Sequence, residues 1–231
     1  NDREFNLKII NKLKSIVAKN INYNFIDVGA NTGLLTKCVL NNFANIKQSF
    51  LIEPDKDNFF CAKNNLTNYK NINLFNFALD VTEGEKKLFI DKNNKGNLSF
   101  NYEMLTFKKD KLNFMNSESD FEIVKCKKIS TFFSEVNNNL KNIIKIDVQG
   151  YDEIIFQEIP NDTLKKTDIV MIEITPLNTK NFDLEKFSSK LKYFNKFSSF
   201  EGKKFSIKDL VDLTKLKSGE SIDVLMYKEN E

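Results

Sequence analysis

Histidine and tryptophan are absent from this sequence, and glycine (7), proline (3) and cysteine (3) are scarce. Without histidine, His-based triads and His metal sites are excluded, and any general base must be Asp, Glu, Lys, Tyr or Cys. The cysteines, Cys38, Cys61 and Cys126, are far apart, form no C-x-x-C pair and are odd in number. That pattern argues against a disulfide framework and fits a reduced cytosol. Long apolar runs are lacking too. Phe50-Leu51-Ile52 and Ile169-Val170-Met171-Ile172 are far too short to span a bilayer, and the first residues hold no signal-like apolar stretch, so a cytoplasmic protein without a membrane span is expected. Charge of one sign is also missing: 35 basic and 32 acidic residues leave a net charge of +3. No field then draws nucleic acid or anionic lipid to the whole surface. Lys108-Lys109, Lys125-Cys126-Lys127-Lys128 and Lys203-Lys204 sit among acids and read as solvated surface, so nucleic acid is not an expected partner.

What is there is ordinary globular composition, 41% hydrophobic and 29% charged over 231 residues, enough for one well-buried domain spanning the chain. Phe5, Ile9, Leu13, Ile16 and Val17 recur at helical spacing, predicting an amphipathic helix within residues 1–20 that covers a sheet edge or the active site. Strand and helix patterns then alternate: strands at 24–28, 49–53 and 72–78, helices at 34–43 and 57–66. Such repetition predicts a parallel sheet with helices on both faces. Residues 83–128 break the rhythm and read as a hairpin-bearing insertion, with strands at 87–90 and 121–127. Order resumes with helices near 130–136, 152–158 and 184–193 and strands at 142–148 and 168–174. Two last strands, 194–200 and 221–228, are assigned to a final edge hairpin, which makes a mostly parallel seven-stranded, Rossmann-like sheet with an antiparallel C-terminal strand.

In such a sheet, ligands bind beyond the carboxyl ends of the strands, beside the first strand-to-helix turn. Asp27-Val28-Gly29-Ala30-Asn31-Thr32-Gly33 occupies that place. Gly29 and Gly33 permit a tight turn and close approach of backbone to a ligand. The dinucleotide fingerprint G-x-G-x-x-G would need glycine where Asn31 and Leu34 stand, which disfavours NAD. Glu53, at the end of the next strand and about 20 residues beyond Gly33, can accept hydrogen bonds from both hydroxyls of a ribose.

The strings FIDVGANTG, LIEPDKDNFF, NFALDVTEG and IIKIDVQGYDEIIFQ, in this order and spacing, resemble the FkbM family of S-adenosylmethionine-dependent methyltransferases. The likeness runs from Phe25 to about Ile174. It implies a class I methyltransferase fold and S-adenosylmethionine as cofactor, with the Asp27–Gly33 turn against the methionine portion, Glu53 on the ribose and Phe77–Asp80 near the adenine. The candidate cofactor residues are therefore Asp27, Gly29, Ala30, Asn31, Gly33, Glu53, Pro54, Ala78, Leu79 and Asp147. A cationic sulfonium suits neighbouring carboxylates such as Asp27 and Asp147, whereas a pyrophosphate would be repelled.

Methyl transfer is an in-line displacement, and an acceptor hydroxyl benefits from a base. Asp147, ending the fourth core strand, is the first candidate; positioning the cofactor or capping the next helix are its alternative roles. Glu173, near the end of the fifth strand, is the second, with a structural or substrate-orienting role as its alternative. Family members commonly carry Glu where this chain has Gln149, which leaves any role of that carboxylate open, and Asp152 reaches one methylene less than the Glu it replaces. Asp147, Asp152 and Glu173 offer oxygen ligands, but clustered carboxylates alone assign no metal, and none is predicted. Most phenylalanines, Phe25, Phe50 and Phe75 among them, are expected in the core. Tyr102, Phe107, Phe114 and Tyr151, with the Gly96–Ser99 block, are candidates for the acceptor pocket. The resemblance implies O-methylation of a sugar hydroxyl, nucleotide-linked or in a surface polysaccharide precursor. An NAD-linked sugar oxidoreductase, a non-catalytic binding module and a nucleic-acid methyltransferase are the competing readings, and a homodimer is compatible with each.

Overall fold

Every residue of Tyr23–Val28 (β1) is buried, as expected of a central strand covered on both faces, and its polar members are paired across the sheet. Asn24 stands in register with Asn142 and donates to its side-chain oxygen at 2.9 Å. The computed structural model describes residues 2–90, 98–99, 121–136, 139–175, 181–215 and 221–229. Helices α1 (Asp2–Ile16), α2 (Leu34–Asn42) and α3 (Lys56–Asn65) alternate with β1, β2 (Ile46–Ile52) and β3 (Ile72–Phe75). Then come β4 (Ala78–Asp80), β5 (Gly84–Ile90), β6 (Leu98–Ser99) and β7 (Phe121–Lys128). The rest comprises α4 (Ile129–Glu135), β8 (Lys141–Ile146), α5 (Asp152–Glu158), α6 (Asn161–Lys166), β9 (Thr167–Ile174), α7 (Leu184–Leu191), β10 (Lys196–Ser198), α8 (Ile207–Lys215) and β11 (Ile222–Tyr227).

The main sheet has seven strands in the order β10-β11-β9-β8-β1-β2-β3, parallel except for β11, which runs antiparallel to both neighbours. Side-chain alternation divides the core between two faces. Phe25, Ile143, Met171 and Leu225 meet Ile9, Leu13 and Val39 of α1 and α2 on one. Ile26, Ile144, Val170 and Val224 meet Phe132, Phe156 and Phe187 of α4, α5 and α7 on the other. Phe25 and Phe50 are buried as expected, and Phe75 is partly buried against the same core. Asp55 caps α3 by accepting from the Asn58 N–H, and Asp183 caps α7 by accepting from Lys186.

Two expectations need correction. The third strand, expected at 72–78, stops at Phe75; Asn76 turns to donate to the carbonyls of Glu53 and Pro54, and β4 continues into a different sheet. That second sheet, β4-β7-β5-β6, holds the expected hairpin as the antiparallel pair β5 and β7, with β4 parallel to β7. The final two strands pair antiparallel, but α8 connects them in place of a tight turn, and β11 lies inside the sheet while β10 takes the edge. The short α6 after Pro160 is likewise unanticipated, being too brief to display a periodicity. Among the described residues, no helix is long and apolar enough to cross a membrane.

Candidate functional site

Two turns meet at the carboxyl edge of the sheet. The one after β1 bends through left-handed conformations at Gly29 (φ 75), Asn31 (φ 50) and Gly33 (φ 73). A Cβ at Gly29 would lie 2.0 Å from the carbonyl oxygen of Asp147, so only glycine lets this turn touch the one after β8. Four of the turn's amides are occupied: Gly29 and Ala30 both donate to the Ile52 carbonyl at 3.0 Å, Gly33 donates to Ala30 at 2.9 Å, and Asn31 donates to Glu53 Oε2 at 2.7 Å.

Glu53 is buried, with its other oxygen accepting from the Asp55 N–H at 2.9 Å. Burial pushes its carboxyl up to about 7, against the opposing pull of those two N–H groups and of Lys145. Each oxygen retains a lone pair for a further donor.

Beneath the turns lies a buried ion pair. Lys145 Nζ stands 3.1 Å from Asp27 Oδ1 and 3.7 Å from Asp147 Oδ2, and donates to the Gly29 carbonyl at 2.5 Å. Asp27 is fully buried and also accepts from Thr36 of α2 at 2.6 Å. Burial works against the Lys145 charge, but Asp27 and Asp147 outweigh it and hold the ammonium above the ordinary lysine range. Asp147 accepts from Gln149 Nε2 at 2.8 Å, and the Gln149 backbone is left-handed at φ 57.

Asp152 closes the second turn from below, accepting from the Val148 and Gly150 amides at 3.1 and 3.0 Å. Burial and the charges of Asp147 and Glu173 push its carboxyl up to about 7. Its neighbour Glu153 is also fully buried and accepts from the Thr175 N–H, and burial with Asp152 raises it well above the usual carboxylate range. At the side, the Tyr151 hydroxyl donates to Asp80 at 2.6 Å, and Lys86 of β5 pairs with the other Asp80 oxygen. Burial and Asp80 push the Tyr151 phenol up; burial opposes the Asp80 charge, but hydrogen bonds from Lys86 and Tyr151 outweigh it and hold Asp80 below the usual range.

These groups surround a cavity of about 320 Å³, at the small end of the range for small-molecule sites. Of the residues singled out from sequence, Gly29, Ala30, Asn31, Glu53, Pro54, Ala78, Leu79, Asp147, Gln149 and Tyr151 line it. Asp27 and Gly33 lie behind its wall, the first neutralised by Lys145 and the second packed against Ala62 and Leu66. Glu173 is not on the wall; it accepts from Ser221 and sits opposite Asp223 of β11. Among the described residues, no group of three or more acidic or cysteine side chains could hold a metal ion. Tyr102, Phe107, Phe114 and the Gly96–Asn97 part of the block lie outside the described residues, and Leu98 and Ser99 form β6.

Sequence reasoning missed Lys145 as a site residue, although a lysine in an apolar strand, on the same side as Asp27 of the adjacent strand, signals a cross-strand ion pair. It also missed Phe5 and Asn6 of α1, Leu34 and Leu35 of α2 and Leu88 of β5, all on the cavity wall. Only the expectation that the first helix covers the active site pointed that way.

A mostly parallel seven-stranded sheet with one reversed strand, and a cavity built on the turns after its first and fourth core strands, define the class I methyltransferase architecture. The methyltransferase FkbM domain family matches this chain over residues 27–200, and the chain belongs to that family. No curated protein matches. Among solved structures, methyltransferase FkbM from Methylobacillus flagellatus is 12% identical, with 89% of this chain and 44% of that one covered and a TM-score of 0.44. A putative rRNA methylase from Clostridium thermocellum gives 9%, 96%, 96% and 0.47. An S-adenosylmethionine-dependent methyltransferase from Clostridium acetobutylicum gives 11%, 99%, 92% and 0.46. Family membership rests on the match over residues 27–200, not on these superpositions.

Proposed function

We propose that this chain is an S-adenosylmethionine-dependent O-methyltransferase acting on a hydroxyl of a sugar, nucleotide-linked or in a surface polysaccharide precursor. The observation that carries the cofactor assignment is the state of the turn amides. Gly29, Ala30, Asn31 and Gly33 all donate within the protein, so these four amides are not offered to a pyrophosphate, while the Glu53 carboxylate opens to the cavity as an acceptor for a ribose. This favours a ribose-bearing ligand without a diphosphate, as the family membership does, over the NAD-linked reading.

Bound in this cavity, S-adenosylmethionine supplies an activated methyl group to an acceptor oxygen. The chain's own residues hold the ligand and exclude water. Glu53 accepts from ribose hydroxyls, Pro54, Ala78 and Leu79 offer an apolar surface for a base, and Phe5, Leu34 and Leu35 shield the cavity from the α1–α2 side. With Glu53 held by the Asn31 and Asp55 amides and assigned to the ribose, Asp147 is the wall carboxylate left to take the acceptor's proton, a role the position of Glu173 does not favour for that residue. The sugar acceptor rests on the family resemblance.

The test is transfer of a radiolabelled methyl group over a panel of nucleotide sugars, with titration of S-adenosylhomocysteine alongside. Methylated product would establish the reaction. Binding of NAD without any response to S-adenosylhomocysteine would overturn it, and tight S-adenosylhomocysteine binding without product across sugar and non-sugar hydroxyl acceptors would reduce the chain to a binding module.

A further inference from the structure

Asp147 is the cavity carboxylate whose surroundings are unusual: neighbours on both sides address its two oxygens. Gln149 Nε2 donates to Oδ1 at 2.8 Å, and Lys145 Nζ stands 3.7 Å from Oδ2. The side chain is nevertheless 42% exposed, so its orientation owes more to these two contacts than to burial. Gln149 reaches it from a backbone at φ 57, a conformation that glycine or asparagine adopts more readily. A glutamine held there against its backbone preference, with its amide on a cavity carboxylate, marks a constraint imposed by the site.

Lys145 can do little else. Its ammonium has three protons, and Asp27 and the Gly29 and Val28 carbonyls lie within hydrogen-bond distance of it, with Asp147 beyond them at 3.7 Å. It therefore balances the buried Asp27 charge, ties the first turn to the second and leaves no donor for a ligand carboxylate. Summed over these groups, Asp27 and Lys145 cancel, and Asp147 remains as the net negative charge that the two turns present to the cavity.

We infer that Gln149 is a positioning residue that, with Lys145, fixes the Asp147 carboxylate on the cavity wall and so makes the site selective for a ligand bearing positive charge at the transferring centre. The inference rests on the methyl-donor reading above and deepens it. A cationic donor is favoured over its neutral product, which helps the product leave after transfer. The selectivity belongs to the orientation of Asp147 as well as to its charge, and that orientation is what Gln149 supplies.

The test needs no acceptor. S-adenosylhomocysteine has a neutral sulfur, whereas sinefungin carries an amine, protonated at neutral pH, in place of the sulfur and its methyl. Titration calorimetry of the full chain with both ligands gives the ratio of their dissociation constants. Wild-type protein is expected to prefer sinefungin by about tenfold, the size of one partly solvated charge contact. Asp147→Asn should abolish the preference. Gln149→Gly should lower it to near unity while the melting temperature holds or rises, since glycine relieves the left-handed backbone. Gln149→Asn keeps an amide and suits that backbone but falls one methylene short, and should behave like the glycine variant. A Gln149→Gly protein that keeps the full preference while Asp147→Asn loses it would overturn the positioning role alone. A wild type that binds both ligands without preference would overturn the charge selectivity and leave the methyl-donor reading standing. Binding of neither would overturn both.

Discussion

Glu53 can be tested without knowing the methyl acceptor. Its carboxyl is pushed from an ordinary 4.5 up to about 7 by burial, so the folded chain holds a proton there that the unfolded chain has already released. Between those two values the native state binds more protons, and stability must fall as pH rises. At 1.36 kcal/mol per pH unit the loss totals about 3 kcal/mol, is complete slightly above pH 7 and is absent below about pH 4. Urea unfolding of wild type and Glu53→Gln across pH 4 to 8 should show the decline in the first protein and its removal in the second. The comparison uses the slope with pH, because glutamine cannot accept from both the Asn31 and Asp55 amides and will carry a constant penalty. Asp152, also pushed up to about 7, adds a decline of the same sign to both proteins and cancels. The ligand reverses the balance. Ribose hydroxyls donate to the charged carboxylate, so S-adenosylhomocysteine should bind more tightly as pH rises toward 7 and release a proton near pH 6, measurable by calorimetry in buffers of different ionisation enthalpy. Equal slopes in the two proteins, with no proton release, would refute the reasoning.

Four further outcomes follow from the site. Gly29→Ala should abolish S-adenosylhomocysteine binding and lower the melting temperature, since its Cβ would stand 2.0 Å from the Asp147 carbonyl on a backbone at φ 75; retained binding by calorimetry would contradict the contact between the turns. Asp27→Ala should cost about 3–5 kcal/mol in chemical unfolding by stranding the buried Lys145, and a loss under about 1 kcal/mol would show that the pair is not energetically coupled. Glu153→Gln should stay within about 1 kcal/mol of wild type in the same assay, because burial favours the neutral carboxyl and the amide mimics it; a large destabilisation would mean that it is charged. Asp147→Asn should lower turnover by about 100-fold or more while weakening cofactor binding less, and equal losses in single-turnover rate and affinity would make Asp147 a cofactor ligand only.

The legible part of this protein is the local part. Phe25 through Gly33 declares strand and turn within nine residues, the helix following from Leu34, and Glu53 and Asp147 follow from their places at strand ends. What could not be read depends on register. Lys145 meets Asp27 only because β8 lies beside β1 in a particular alignment, and Tyr151 reaches Asp80 only because the second sheet brings β4 beside that turn. Glu173 was a candidate from its place near the end of the fifth strand, yet pairing opposite Asp223 of β11 and hydrogen bonding to Ser221 keep it off the cavity wall. The split of the third strand at Asn76 was hidden because Asn76 satisfies two loop carbonyls, an effect that no propensity reports.

The placement of β11 between β9 and β10 has a consequence for biogenesis. Residues 222–227 emerge from the ribosome after every other described strand, yet they fill an interior slot of the sheet. Until they arrive, β9 exposes the full edge of a hydrophobic strand and β10 lacks its partner in the main sheet, an invitation to pair with another nascent chain. Shielding of that gap by a chaperone, or a pause before the last segment, would then govern the yield of folded protein more than the strength of the finished core.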